Sequence, residues 1–122
     1  RYLGERAAKL GVHVVPAWRI AREGVEAAGE AVEHLLESGA EEYYISVDVD
    51  HVAEAWAPGV NAPSPLGLDP RESAAILLEA SRRLRPRGID VVEVSPPYDV
   101  GDATSRLAAA LLLYAIYGAL RG

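Results

Sequence analysis

Three carboxylates stand where this chain could do chemistry. Asp48 and Asp50 are separated by a single residue and close the run Tyr44-Ile45-Ser46-Val47. β-Branched and aromatic residues at this density predict a buried strand over residues 43–49. Residues two apart on a strand face the same side, so the two carboxylates are expected to project together. Anions that close repel one another unless a cation or a shared proton relieves them. Oxygen donors suit hard or borderline divalent cations, so the pair reads as a candidate set of metal ligands. The plainer alternative is a solvated strand end whose aspartates open the following loop. Glu93 stands near the end of a second run, Ile89 to Val94, with a valine on either side. A carboxylate among apolar neighbours is costly to bury without a partner, so it points to water or meets a cation.

The elements that must position these groups follow from pattern. After Asp50 comes a stretch carrying Pro58, Gly59, Asn61, Pro63, Pro65 and Gly67. Long loops of this kind are functional or disordered, and the prolines favour a fixed path because each locks φ and restricts its predecessor. An EF-hand is excluded: with Asp48 as the first loop position, the fifth is Val52 and the sixth Ala53, where a ligand and a glycine belong. Asp69-Pro70-Arg71-Glu72 is a helix start, with a cap acceptor, proline at the first helical position and glutamate three residues after the cap. That gives Asp69 and Glu72 structural roles, and the helix is expected to run to about residue 84. Arg82, Arg83, Arg85 and Arg87 gather at its C-terminal end, where the helix dipole favours positive charge; a phosphate site is the sharper alternative.

Upstream, Val12 to Val15 reads as a short strand closed by Pro16. Val25, Ala28, Val32, Leu35 and Leu36 mark one face of a helix over residues 22–37. His34 lies beside that stripe and reads as a packed or surface histidine. Asp99, Asp102 and Thr104 surround the start of a last helix over residues 103–120, which is apolar nearly all round and should lie between layers or between subunits. The order β-α-β-α-β-α predicts an α/β fold with a parallel sheet and helices on its faces. Ligands in such sheets sit beyond the carboxyl ends of the strands, where Asp48, Asp50 and Glu93 all fall.

Two motifs carry a resemblance. Ser46-Val47-Asp48-Val49-Asp50 with Pro58-Gly59 and Gly67 resembles the third signature of the ureohydrolases, the arginases, agmatinases and formimidoylglutamases. Ile89-Asp90-Val91-Val92-Glu93-Val94-Ser95-Pro96-Pro97-Tyr98-Asp99 resembles the family's last strand and turn, in a form typical of agmatinase-like members. The resemblance implies a three-layer, arginase-like parallel sheet with helices on both faces, of which residues 1–122 would be the C-terminal portion. It implies that Asp48 bridges two Mn(II) ions, that Asp50 binds one of them, and that Glu93 faces the guanidinium or formimino end of a small-molecule substrate. It also implies a homo-oligomer, a trimer or hexamer. The implied reaction is hydrolysis of a linear C–N bond, with urea and an amine as the agmatinase-like products. Ala53-Glu54 stands where the family usually has Asp-Pro, which removes a turn device beside the metal strand. His51 replaces an apolar residue and reads as a surface histidine, with an extra outer-shell group as the alternative. Gly59-Val60-Asn61-Ala62-Pro63 departs from the Gly-Thr-Gly-Thr-Pro run of agmatinases and arginases and leans toward formimidoylglutamase-like members.

Composition narrows the alternatives. The chain has 122 residues, a formal net charge of −6 and no cysteine. Nucleic acid is an unsuited partner for an acidic chain without a basic run, and disulfides, thiolate metal sites and thiol nucleophiles are excluded. No apolar run approaches membrane-spanning length and no signal peptide is visible, so the cytoplasm is the expected compartment. The chain opens at Arg1 in what reads as the tail of a helix, which suggests a fragment, inactive alone. Two other functions fit the D-x-D pair: a nucleotide-sugar transferase holding a metal on a diphosphate, and a non-catalytic relative that keeps the fold without the metals.

Overall fold

A computed structural model of the chain describes residues 2–122. The chain divides into two compact units, Arg1–Ala40 and Glu41–Gly122.

The first unit contains helices α1 (Tyr2–Lys9), α2 (Ala17–Glu23) and α3 (Gly29–Glu37), with a 3-10 turn at Val25–Ala28. Ile20, Ala27 and Val32 are buried. Arg19 ties the pieces together, donating to Glu23 at 2.7 Å and to Glu30 at 2.7 Å. Two expectations fail here. Residues 12–15 are irregular rather than a strand, with Val12 and Val14 exposed. Alternating β-branched residues favour extended backbone, but a strand also needs a neighbour, and none of the described residues pairs with this stretch. The helix expected over residues 22–37 is interrupted at Gly24, whose φ of 87° lies in the left-handed region that favours glycine. Its N–H caps α2 by donating to the Ile20 carbonyl at 2.8 Å, and the apolar stripe resumes in α3. His34 stacks on His13 with ring centroids 5.2 Å apart.

The second unit positions all three carboxylates. Strand β1 (Tyr44–Asp48) pairs in parallel with β2 (Gly88–Val92), and helices α4 (Pro70–Leu84) and α5 (Ala103–Ala119) follow the two strands. Val47, Val52 and Ala57 pack with Leu77 of α4 and with Leu111 and Ala115 of α5; Ile45, Ile89 and Val91 close the cluster from the sheet. The opposite sheet face is polar and open. There Tyr44 and Ser46 donate to the two oxygens of Asp90, at 2.9 and 2.6 Å, across the strand pair. The bond from Tyr44 to Asp90 pushes the phenol's pKa up, keeping it a donor.

The α4 start is as expected: Asp69 accepts from the Arg71 N–H at 2.7 Å, and Glu72 accepts from the Asp69 N–H at 2.8 Å. Two of the arginines beyond it are ion-paired, Arg82 with Glu79 and Arg87 with Glu42, which fits a helix end better than a phosphate site. α4 and α5 pack closely, since a Cβ added to Gly118 would lie 2.3 Å from the Leu78 carbonyl oxygen. The all-round apolar character of α5 resolves into two sides. Thr104, Ala108, Leu111, Ala115 and Gly118 are buried, whereas Leu113, Tyr114, Ile116, Tyr117 and Leu120 are exposed around a shallow apolar groove. No helix of the described residues is long and apolar enough to cross a membrane.

Candidate functional site

The first carboxylate, Asp48, is the last residue of β1. Asp50 is not on the strand: the chain turns into a 3-10 turn at Val49–His51. The carboxylates are therefore brought together by a turn rather than by strand alternation. The Asp50 N–H donates to Asp48 Oδ1 at 2.9 Å, the bond an aspartate makes to the backbone two residues on. Val49, between them, is completely buried and packs with Val60 and Ala108, so the turn is anchored by its apolar residue.

His51 completes the turn. Its Nδ1 lies against the Asp48 carbonyl oxygen, and its Nε2 is 2.9 Å from Ser73 Oγ. Ser73 is buried in the first turn of α4 and donates to the Asp69 carbonyl at 3.1 Å. His51 is thus half-buried and bonded on both ring nitrogens, not the surface histidine expected. The proline- and glycine-rich loop is fixed, as its composition suggested. Leu68 N–H donates to the His51 carbonyl at 2.8 Å, Ala53 N–H to that of Leu68 at 3.0 Å, and Glu54 N–H to that of Ser64 at 2.9 Å. Gly67 permits this approach, since a Cβ there would sit 2.5 Å from the Ala53 nitrogen. Ala53-Glu54 therefore keeps a defined path through backbone bonds to the far side of the loop.

Asp50 Oδ1 is buried and has no hydrogen-bond partner. Burial pushes the Asp50 carboxyl pKa up, and the charge of Asp48 adds to the shift. A desolvated, unpartnered carboxylate oxygen beside a second carboxylate is the arrangement a divalent cation relieves, and oxygen donors fit manganese. Asp48 and Asp50 thus fit the implied metal as a partial ligand set. Among the described residues no group of three or more histidine, aspartate or glutamate side chains is arranged to hold a metal ion.

Glu93 follows the last paired residue of β2. Register sets Asp48 opposite Val92, so Glu93 leaves the sheet at the same end and on the neighbouring strand. It is exposed, and its φ of 70° is unusual for a residue with a side chain. Beyond it, the turn Ser95–Asp99 packs against the other strand's loop: Ser95 N–H donates to the Gly59 carbonyl at 2.8 Å, and Gly59 N–H donates to the buried Thr104 Oγ1 at 2.8 Å. Asp99 accepts from the Thr104 and Ser105 N–H groups, both at 2.8 Å, and from Ser105 Oγ at 2.6 Å. These bonds, the Ser105 hydroxyl foremost, hold the Asp99 carboxyl down at about 2. Capping thus accounts for Asp99, whereas the Thr104 side chain is buried and serves Gly59 instead of a helix end. Asp102 sits in a left-handed conformation and makes no side-chain cap bond.

The parallel α/β layer that carries these carboxylates at the carboxyl ends of neighbouring strands is an arginase-like fold. Formimidoylglutamase from Bacillus subtilis superposes over 97% of this chain and 37% of its own, with a TM-score of 0.87 and 30% identity. Proclavaminate amidino hydrolase from Streptomyces clavuligerus covers 96% of this chain and 39% of its own, with a TM-score of 0.82 and 40% identity. Residues 3–118 match the model of the arginase family, and the chain belongs to that family. A formimidoylglutamase from Streptococcus pyogenes is 37% identical over 112 residues, 90% of this chain. The chain spans about a third of the length of that relative.

Proposed function

We propose that residues 1–122 are the C-terminal portion of a single ureohydrolase-like domain whose intact protein is a manganese-dependent hydrolase of a linear C–N bond. The observation that carries this reading is the joined carboxylate pair at the end of β1, with the buried, unpartnered Asp50 Oδ1, one strand away from Glu93. Asp48 and Asp50 would hold Mn(II), which when bound supplies a nucleophile by lowering the pKa of water. Asp48 would bind the cation while, by accepting the Asp50 N–H, it fixes the turn that presents its neighbour. Glu93 would hold the cationic head of the substrate by charge-assisted hydrogen bonds and orient its planar carbon.

A formimino compound is favoured over a guanidino one such as agmatine. Two of the relatives named above are formimidoylglutamases, and the loop Gly59-Val60-Asn61-Ala62-Pro63 departs from the agmatinase and arginase run. Membership of the arginase family leaves the nucleotide-sugar transferase reading without support. The intact protein is expected to be a cytoplasmic homo-oligomer. The test is to load the intact protein with Mn(II) and measure turnover of formiminoglutamate, agmatine and arginine. Turnover of formiminoglutamate above the other two is expected. Stoichiometric Mn(II) without turnover of any would point to a different substrate, and no Mn(II) binding would overturn the metal assignment and favour the non-catalytic relative.

A further inference from the structure

Glu93 is held in a conformation that its own sequence does not favour. With φ at 70°, a residue bearing a side chain occupies the left-handed region at a cost, and such strain persists only where surrounding structure imposes it. What surrounds it is a junction between the exits of the two strands. Gly59, on the β1 side, donates its N–H to Thr104 Oγ1 and accepts the N–H of Ser95, two residues after Glu93. Asp99 lies so close that a Cβ on Gly59 would stand 2.7 Å from the Asp99 Cα, and Asp99 is itself fixed to the first turn of α5. Thr104 is completely buried, so its bond to the Gly59 N–H is shielded from water.

We infer that Gly59, Thr104 and Asp99 form a clamp whose role is positional: it joins the loop that leaves Asp50 to the turn that leaves Glu93, and so imposes the backbone conformation that aims the Glu93 carboxylate relative to the Asp48–Asp50 pair. These are positioning residues, since none of them touches the pair. The inference deepens the functional reading above, resting on Glu93 as the substrate-facing carboxylate.

The test pairs Thr104→Val, which keeps the shape but removes the acceptor, with Thr104→Ser, which restores it. Crystal structures of both in the intact protein read φ at residue 93 directly, while metal analysis and steady-state kinetics on formiminoglutamate read the consequence. In Thr104→Val, Glu93 is expected to leave the left-handed region and kcat/KM to fall by up to about 100-fold, the scale of a 1 Å misplacement, with Mn(II) content unchanged. Thr104→Ser should retain the wild-type φ and kinetics. Should Thr104→Val fail to fold, Thr104→Ala, which also removes the acceptor, carries the same readouts. A folded variant that lacks the bond yet keeps Glu93 at positive φ would overturn the clamp. The hydrolase reading fails separately: if the wild type turns over none of the substrates, the φ readout still decides the clamp.

Discussion

The two strand exits present their carboxylates by different means. At the end of β1, Asp48 and Asp50 are arranged by their own turn: the Asp50 N–H bonds Asp48 Oδ1, Val49 plugs the core, and His51 reaches back to the Asp48 carbonyl. At the end of β2, Glu93 makes no such local turn. Its direction depends on Ser95, Gly59, Thr104 and Asp99, which come from three separate stretches. Local bonds survive changes elsewhere in the chain, whereas a conformation imposed from outside is lost when any distant member is altered. The first exit should be robust to distant mutation and the second sensitive to it.

The contrast is broken most strongly at the first exit. In the intact protein, Asp48→Asn and Asp50→Asn should each lower Mn(II) content and activity by more than the roughly 10–100-fold that loss of an outer-shell partner costs. Full metal occupancy in both variants would remove the assignment. At the second exit, Glu93→Gln should leave metal content intact and lose about 1.5–3 kcal/mol of transition-state binding, the value of a hydrogen bond to a charged group. Unchanged kinetics would mean that Glu93 merely faces solvent. Gly59→Ala should destabilise the fold by about 1–3 kcal/mol, as overpacking does, because the added methyl meets the Asp99 backbone. Denaturant titration measures it, and an unchanged midpoint would show that the two exits move freely.

The smallest effect is one of pH. The Asp99 carboxyl is held near 2 against an ordinary 3.8, so the unfolded chain takes up the proton first as pH falls. The stabilisation from Asp99 is complete above about pH 4 and should fade as the solution is taken toward pH 2. Thermal melts of Asp99→Asn should be flatter over that window than those of the wild type. Parallel curves would contradict the assignment of the shift.

Legibility followed the same division. β1, the helix from Pro70 to Leu84, its capping box and the last helix could be read because propensity, spacing and end signals lie within a few residues of one another. The proximity of Asp48 and Asp50 was also legible, although the turn that creates it was not, because a 3-10 turn after a strand leaves no periodic trace. The Gly59–Thr104 bond joins residues 45 apart, and no spacing rule connects them. Asp90 was passed over for a related reason. Strand alternation could have placed Ser46 on the same face as Asp48, but only the register of β1 on β2 puts Asp90 beside it. Val12 to Val15 failed in the opposite sense, with the local signal present and the partner strand missing among the described residues.

The register of β1 on β2 also bears on the order in which this unit folds. Tyr44 pairs with Gly88 and Asp48 with Val92, so every ladder bond closes a loop containing the whole Pro/Gly-rich stretch and α4. A parallel pair of this kind cannot zip from a hairpin turn, and the chain entropy of closure is lost before any ladder bond forms. α4, with its cap in place and its backbone bonds local, can form first and shorten the path between the strands. The amide protons of β2 should therefore gain protection later in refolding than those in the middle of α4, so the positions of Asp48 and Glu93 relative to one another are among the last features of the unit to be established.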